Sequence, residues 1–144
     1  GQRSDFSADI QSKMNWAEQL TTSNLELNLN IAGSYGGRWD IVNACKKLIA
    51  GAGPTAIDPE TITEQTLGQY MALANQAEPD LLIRTGGDSR ISNFLLWQMA
   101  YTEFWFTATL WPDIDHSILE NAIKEFSMRE RRFGLTSAQI EAMP

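Results

Sequence analysis

The residues most able to do chemistry lie in one run, Arg84-Thr85-Gly86-Gly87-Asp88-Ser89-Arg90-Ile91-Ser92-Asn93-Phe94. Two arginines flank a glycine turn, and a guanidinium fork suits bidentate pairing with phosphate oxygens. Glycine at Gly86 and Gly87 lets backbone N–H groups come close to an anion, and Ser92 adds a hydroxyl where the next element is expected to start. Binding of a phosphate or diphosphate is the chemistry these types and spacings suit. Spacing alone equally allows a tight turn with two solvated arginines, since turns collect Gly and Ser for backbone reasons.

A second run, Asn30-Ile31-Ala32-Gly33-Ser34-Tyr35-Gly36-Gly37-Arg38-Trp39-Asp40, has a similar layout. It matches neither the Walker pattern nor a dinucleotide fingerprint. A strand-to-helix turn with Asp40 near the helix start explains it about as well as a ligand site does, and for Gly36 and Gly37 the turn is the better reading.

The elements that must position these runs follow from periodicity. Phe6, Ile10, Met14, Ala17 and Leu20 make one stripe at spacings of three and four, so a helix is expected over 6–20. Leu25, Leu27, Leu29 and Ile31 alternate with polar residues, the pattern of a strand. A second helix follows the first glycine turn, with Ile41, Val42, Cys45, Leu48 and Ile49 inward and Gly51 and Gly53 as its stop. Asp58-Pro59, with Thr61 and Glu64 at capping-box spacing, predicts a third helix running to about Ala74.

Asp80–Arg84 reads as a strand buried on both faces, with a helical stretch expected after the arginine loop. Tyr101–Thr107 is aromatic and β-prone. A last helix starts near Asp115, turns Ile118, Leu119, Ala122, Ile123 and Phe126 inward, and ends in a basic turn before Gly134; His116 is a helix-start residue without metal-ligand spacing. Strands alternating with helices give an α/β fold with a mostly parallel sheet flanked by helices. The first element is a helix with no strand before it, so the sheet is expected to be incomplete at its N-terminal side.

Composition narrows the function classes. With 43% hydrophobic and 20% charged residues, the 144-residue chain can bury one ordinary core. A net charge of −7 disfavours nucleic acid as a partner, because nonspecific affinity for it comes from clustered Lys and Arg. The single cysteine, Cys45, lies among apolar residues, where a free thiol packs as a small hydrophobe and fits a reducing cytoplasm. No run approaches the roughly 18 apolar residues of a spanning helix, and the first ten residues lack a signal-peptide layout.

Taken together, the segments NIAGSYGGRWDI (30–41) and DLLIRTGGDSRISNFLLWQ (80–98) resemble the cis-prenyltransferase family, of the undecaprenyl diphosphate synthase type. The resemblance continues through Tyr101–Phe104 and Leu110–Asp113 and ends at Arg129–Gly134, so it covers nearly the whole chain. It implies a transferase that adds isopentenyl diphosphate units to an allylic diphosphate such as farnesyl diphosphate, giving undecaprenyl diphosphate for the carrier lipid of cell-wall synthesis. It assigns Arg84, Arg90 and Ser92 to the diphosphate of isopentenyl diphosphate, with Gly86 and Gly87 shaping the loop. Arg132 and Gly134 match a C-terminal Arg-x-Gly element that reaches a diphosphate site across a homodimer. Glu103 matches a Mg²⁺-associated glutamate, and Asp88 stands near the metal and diphosphate.

Without the family, Glu103 would be read as an exposed strand carboxylate and the late arginines as cations at a helix C-terminus. Trp97, Phe94, Phe104, Trp105 and Phe106 suit either core and interface or an apolar product tunnel. Membrane contact would be peripheral, through the product. Two departures stand out. Ser89 replaces a histidine often found in bacterial members, and no counterpart of the family's Asp-Gly-Asn-Gly-Arg type loop occurs, so no catalytic residue is assigned. The chain, residues 1–144, is therefore expected to be the C-terminal part of a single family domain. A non-catalytic partner subunit is the alternative, and the intact arginine loop weighs against it.

Overall fold

The computed structural model describes residues 1–53 and 57–130. The chain divides into two compact units, Gly1–Gln76 and Ala77–Pro144.

The first unit is helical. Helix α1, Ala8–Thr21, starts where Ser7 accepts from the Ile10 N–H, and α2, Gly37–Gly51, starts directly after Gly36. A 3₁₀ turn at Pro59–Thr61, capped by Asp58, leads to the short α3, Glu64–Gly68. The expected capping box exists two residues further on, between Thr63 and Thr66, and α3 stops far short of Ala74. Position 66 carries a hydroxyl able to bond back to the Thr63 N–H at 2.7 Å, which fixes the helix start there.

The core of this unit centres on Asp40, Ala44 and Met71. The α2 face turned inward is thus Gly37, Asp40 and Ala44, whereas Val42, Cys45 and Ile49, expected inside, are exposed. Asp40 causes the rotation. Its carboxylate accepts from Tyr35 Oη at 2.8 Å and from the Ala72 N–H at 2.9 Å, so that polar position faces the interior. The Ile10 and Leu20 positions of the α1 stripe are exposed as well.

Leu25–Ile31 forms no strand, and its leucines and Ile31 are 79–90% exposed. Alternation is a property of side chains, but a strand exists only through a hydrogen-bonded neighbour, and among the described residues none pairs with this segment.

The second unit contains the sheet. Strands β1, Leu81–Arg84, and β2, Glu103–Phe106, pair in parallel with Leu81 opposite Glu103 and Arg84 opposite Phe106. Both are half-buried, where β1 was expected to be covered on both faces. The crossover between them is a series of turns with no helix, although a bond from the Met99 N–H to the Leu95 carbonyl makes one helical turn. It supplies buried Leu95, Gln98 and Met99.

After β2, a 3₁₀ turn at Trp111–Asp113 leads into α4, His116–Ser127, with Asp115 as its N-cap. Ala122 is buried and Ile118 and Phe126 are half-buried, whereas Leu119 and Ile123 are exposed. Glu103 and Trp105 lie two residues apart on one face of β2, and both reach toward the α4 side. Trp105 Nε1 donates to Glu125 at 2.9 Å, and Arg129, just past α4, donates to Glu103 at 3.0 Å. Strands, crossover and helices thus make an α/β arrangement with a parallel sheet.

Candidate functional site

The arginine loop begins where β1 ends, and backbone bonds tie it to the chain after β2. The Thr107 N–H donates to the Arg84 carbonyl at 2.9 Å, the Gly87 N–H to the Thr107 carbonyl at 3.0 Å, and the Gly86 N–H to the Thr109 carbonyl at 2.9 Å. The glycine amides expected to face an anion are therefore engaged by carbonyls. What glycine contributes is conformation: φ is +85° at Gly86 and +82° at Gly87, a region that L side chains rarely adopt.

Side chains close the loop. Arg84 donates to Ser92 Oγ at 2.8 Å, to the Arg90 carbonyl, and to Asp88 Oδ2 at 2.7 Å. Arg90 donates to the same Asp88 oxygen at 2.8 Å. The structure thus brings together Arg84, Gly86, Gly87, Asp88, Arg90 and Ser92. Ser92 sits in a turn with φ +47°, at no helix start, so no helix dipole acts there.

Glu103 is placed elsewhere. It opens β2 opposite Leu81, while the loop leaves β1 after Arg84, so one three-residue strand length, about 10 Å, separates their levels. Its carboxylate is held by Arg129, which also donates to the Phe104 carbonyl at 2.9 Å. Among the described residues no three His, Cys, Asp or Glu side chains gather to hold a metal ion. Arg132 and Gly134 lie outside the described residues.

Three features escaped the reading of the sequence. Arg129 was grouped with the basic turn, and its pairing with Glu103, 26 residues away, has no local signal. Thr107 and Thr109 hold the arginine loop through main-chain groups, which leave no mark in residue type. An open cleft of about 350 Å³, lined by Gln2, Asp5, Ser34, Tyr35, Gly36 and Trp39, borders the first glycine turn. His116, by contrast, is where it was expected, in the first turn of α4, and it faces Glu120 at 3.0 Å.

Residues 1–134 match a family model described as "Putative undecaprenyl diphosphate synthase". The chain belongs to the undecaprenyl diphosphate synthase family. A ditrans,polycis-undecaprenyl-diphosphate synthase, (2E,6E)-farnesyl-diphosphate specific, of Xanthomonas campestris pv. campestris is 54% identical over 97% of this chain and 54% of its own length. An isoprenyl transferase of Neisseria meningitidis is 52% identical over the same shares. The chain thus spans about half the length of the relatives it matches.

Solved structures agree. Lavandulyl diphosphate synthase of Lavandula x intermedia, in complex with dimethylallyl diphosphate, superposes with a TM-score of 0.87 at 38% identity, covering 93% of this chain and 58% of that one. A probable undecaprenyl diphosphate synthase of Campylobacter jejuni gives 0.78 at 35%, covering 93% and 60%. The α/β fold with a parallel sheet is the fold of this family, and among the described residues no helix is long and apolar enough to cross a membrane.

Proposed function

We propose that residues 1–144 are the C-terminal part of one cis-prenyltransferase domain, and that its loop Arg84–Ser92 binds the diphosphate of isopentenyl diphosphate during elongation of an allylic diphosphate such as farnesyl diphosphate to undecaprenyl diphosphate. The observation that carries this is the convergence of Arg84 and Arg90 on one oxygen beside the Ser92 hydroxyl. Guanidinium groups held in this way suit an anion with several oxygens. The (2E,6E)-farnesyl-diphosphate specificity of the Xanthomonas campestris relative supports farnesyl diphosphate as the primer.

In this reading the isopentenyl double bond attacks the allylic carbon, the carbon–oxygen bond to diphosphate breaks, and a proton is lost to set a cis double bond. The described residues contribute binding and orientation. Arg84, fixed by three acceptors, frames the loop, Arg90 reaches in from solvent, and Ser92 adds a hydroxyl. Gly86 and Gly87 shape the turn, and Arg132 and Gly134 are assigned to a second diphosphate contact.

The described residues do not by themselves fit the Mg²⁺ that the resemblance implies. Glu103 is paired with Arg129, and Asp88 with two arginines. Mg²⁺, which commonly binds through one or two carboxylates together with substrate phosphates, would come with the diphosphate. Assembly as a homodimer belongs to the same proposal, supported by exposed Tyr101, Leu119 and Ile123 in the second unit. So do a cytoplasmic location, a role in cell-wall biogenesis and peripheral contact with a membrane through the product.

Steady-state kinetics on the native-length protein test the assignment. Arg90→Ala is expected to raise KM for isopentenyl diphosphate about tenfold to a hundredfold, the weight of a charge-assisted hydrogen bond. Arg84→Ala is expected to raise KM at least as much, because it also removes the frame of the loop. Unchanged use of isopentenyl diphosphate by both variants would remove these roles.

A further inference from the structure

The arginine loop already holds an anion of its own. Asp88 Oδ2 accepts from Arg84 and from Arg90, and so occupies the position between two guanidinium groups that a phosphate oxygen would take. The three side chains are graded in exposure: 23% for Arg84, 40% for Asp88 and 69% for Arg90. Arg84 is held by the Arg90 carbonyl and Ser92 as well, so two of its bonds do not depend on Asp88. Asp88 is exposed enough to swing toward water, where a carboxylate is well solvated.

We propose that Asp88 is a carboxylate latch: it keeps Arg84 and Arg90 pointed at one spot while the loop is empty and competes with the incoming phosphate group for them. The proposal rests on the reading of this loop as the diphosphate site. Its consequence is selectivity by charge. A weakly charged anion gains little by replacing a carboxylate that is already in position. A diphosphate brings more charge and more oxygens, and can engage both guanidinium groups after Asp88 has left. Like-charge repulsion from Asp88 also opposes anions that bind without displacing it.

Calorimetric titration of inorganic diphosphate and of inorganic phosphate into the full chain tests this, with Asp88→Asn, Asp88→Glu and Arg90→Ala alongside. Asp88→Asn keeps an acceptor oxygen and removes the charge. It is expected to bind inorganic phosphate about tenfold more tightly and diphosphate by a smaller factor, so that the ratio between the two narrows. Asp88→Glu keeps the charge and is expected to keep the ratio of the unchanged chain.

A purely structural role for Asp88 predicts the reverse, weaker binding of both anions by Asp88→Asn together with a lower melting temperature. Unchanged or weaker phosphate binding by Asp88→Asn, with diphosphate binding still dependent on Arg90, overturns the latch and leaves the site assignment standing. Diphosphate binding that is absent, or the same in Arg90→Ala, overturns both.

Discussion

The Ser34–Asp40 turn and the Arg84–Ser92 loop both carry a glycine pair and a nearby aspartate, yet the two aspartates do opposite work. Asp40 is 1% exposed and joins Tyr35 to the backbone of Ala72, 32 residues away. Asp88 is partly exposed and holds two arginines of its own loop. Burial makes the difference. A carboxylate taken out of water must be fully hydrogen-bonded and then becomes part of the framework, whereas one at the surface can exchange its partners.

The flanks of the two turns differ as well. The first has a helix after it and no strand before it; the second has a strand before it and no helix after it.

Asp40→Ala takes the carboxylate from Tyr35 Oη and the Ala72 N–H and is expected to lower stability by about 2–4 kcal/mol. Asp88→Ala, at a solvated ion pair, is expected to change it by less than about 1 kcal/mol. Denaturant unfolding of both variants decides, and equal losses would mean that burial does not separate the two sites.

Gly86→Ala meets nothing within 4 Å of the added Cβ, so its penalty is conformational, about 1–2 kcal/mol for a side chain at φ +85°. Thermal melting of that variant is expected to fall without a change in β-sheet circular dichroism.

The smallest effect concerns a third aspartate, the helix cap Asp115. Its carboxyl is held below its ordinary value of 3.8, first by the Ile118 N–H and next by the Ser117 hydroxyl, and it is fully exposed. A depressed value in the folded state means that the cap stabilises above the unfolded value and that this contribution is lost as pH falls through the folded one. Helix content followed from pH 6 to 2 is expected to fall less steeply in Asp115→Asn than in the unchanged chain.

Much of the helical frame was legible because its signals are local. α1, α2 and α4 lie close to where three-and-four spacing put them, and Asp115 caps α4 through a bond spanning three residues. The two strands were legible as short apolar or aromatic runs. Leu25–Ile31 carried as clear a strand pattern and forms none, because pairing depends on a neighbour that residue types along one segment do not specify.

The buried face of α2 was misread for a related reason. Hydrophobicity ranks Val42, Cys45 and Ile49 above Asp40, but the bonds to Tyr35 and Ala72 turn Asp40 inward. The arginine loop was legible as a cluster of types, and its internal bonding was not.

The cluster of arginines and glycines in the Arg84–Ser92 run, and the approximate places of α1, α2 and α4, could be read along the chain because each depends on groups within a few positions of one another; the start of α3 and the crossover after the loop could not. That Asp88 bridges Arg84 and Arg90, that Glu103 is held by Arg129, and that Asp40 lies inside emerges only in the folded chain. Those outcomes depend on which carboxylate meets which donor once the chain has closed on itself, and on how much water remains around each pair.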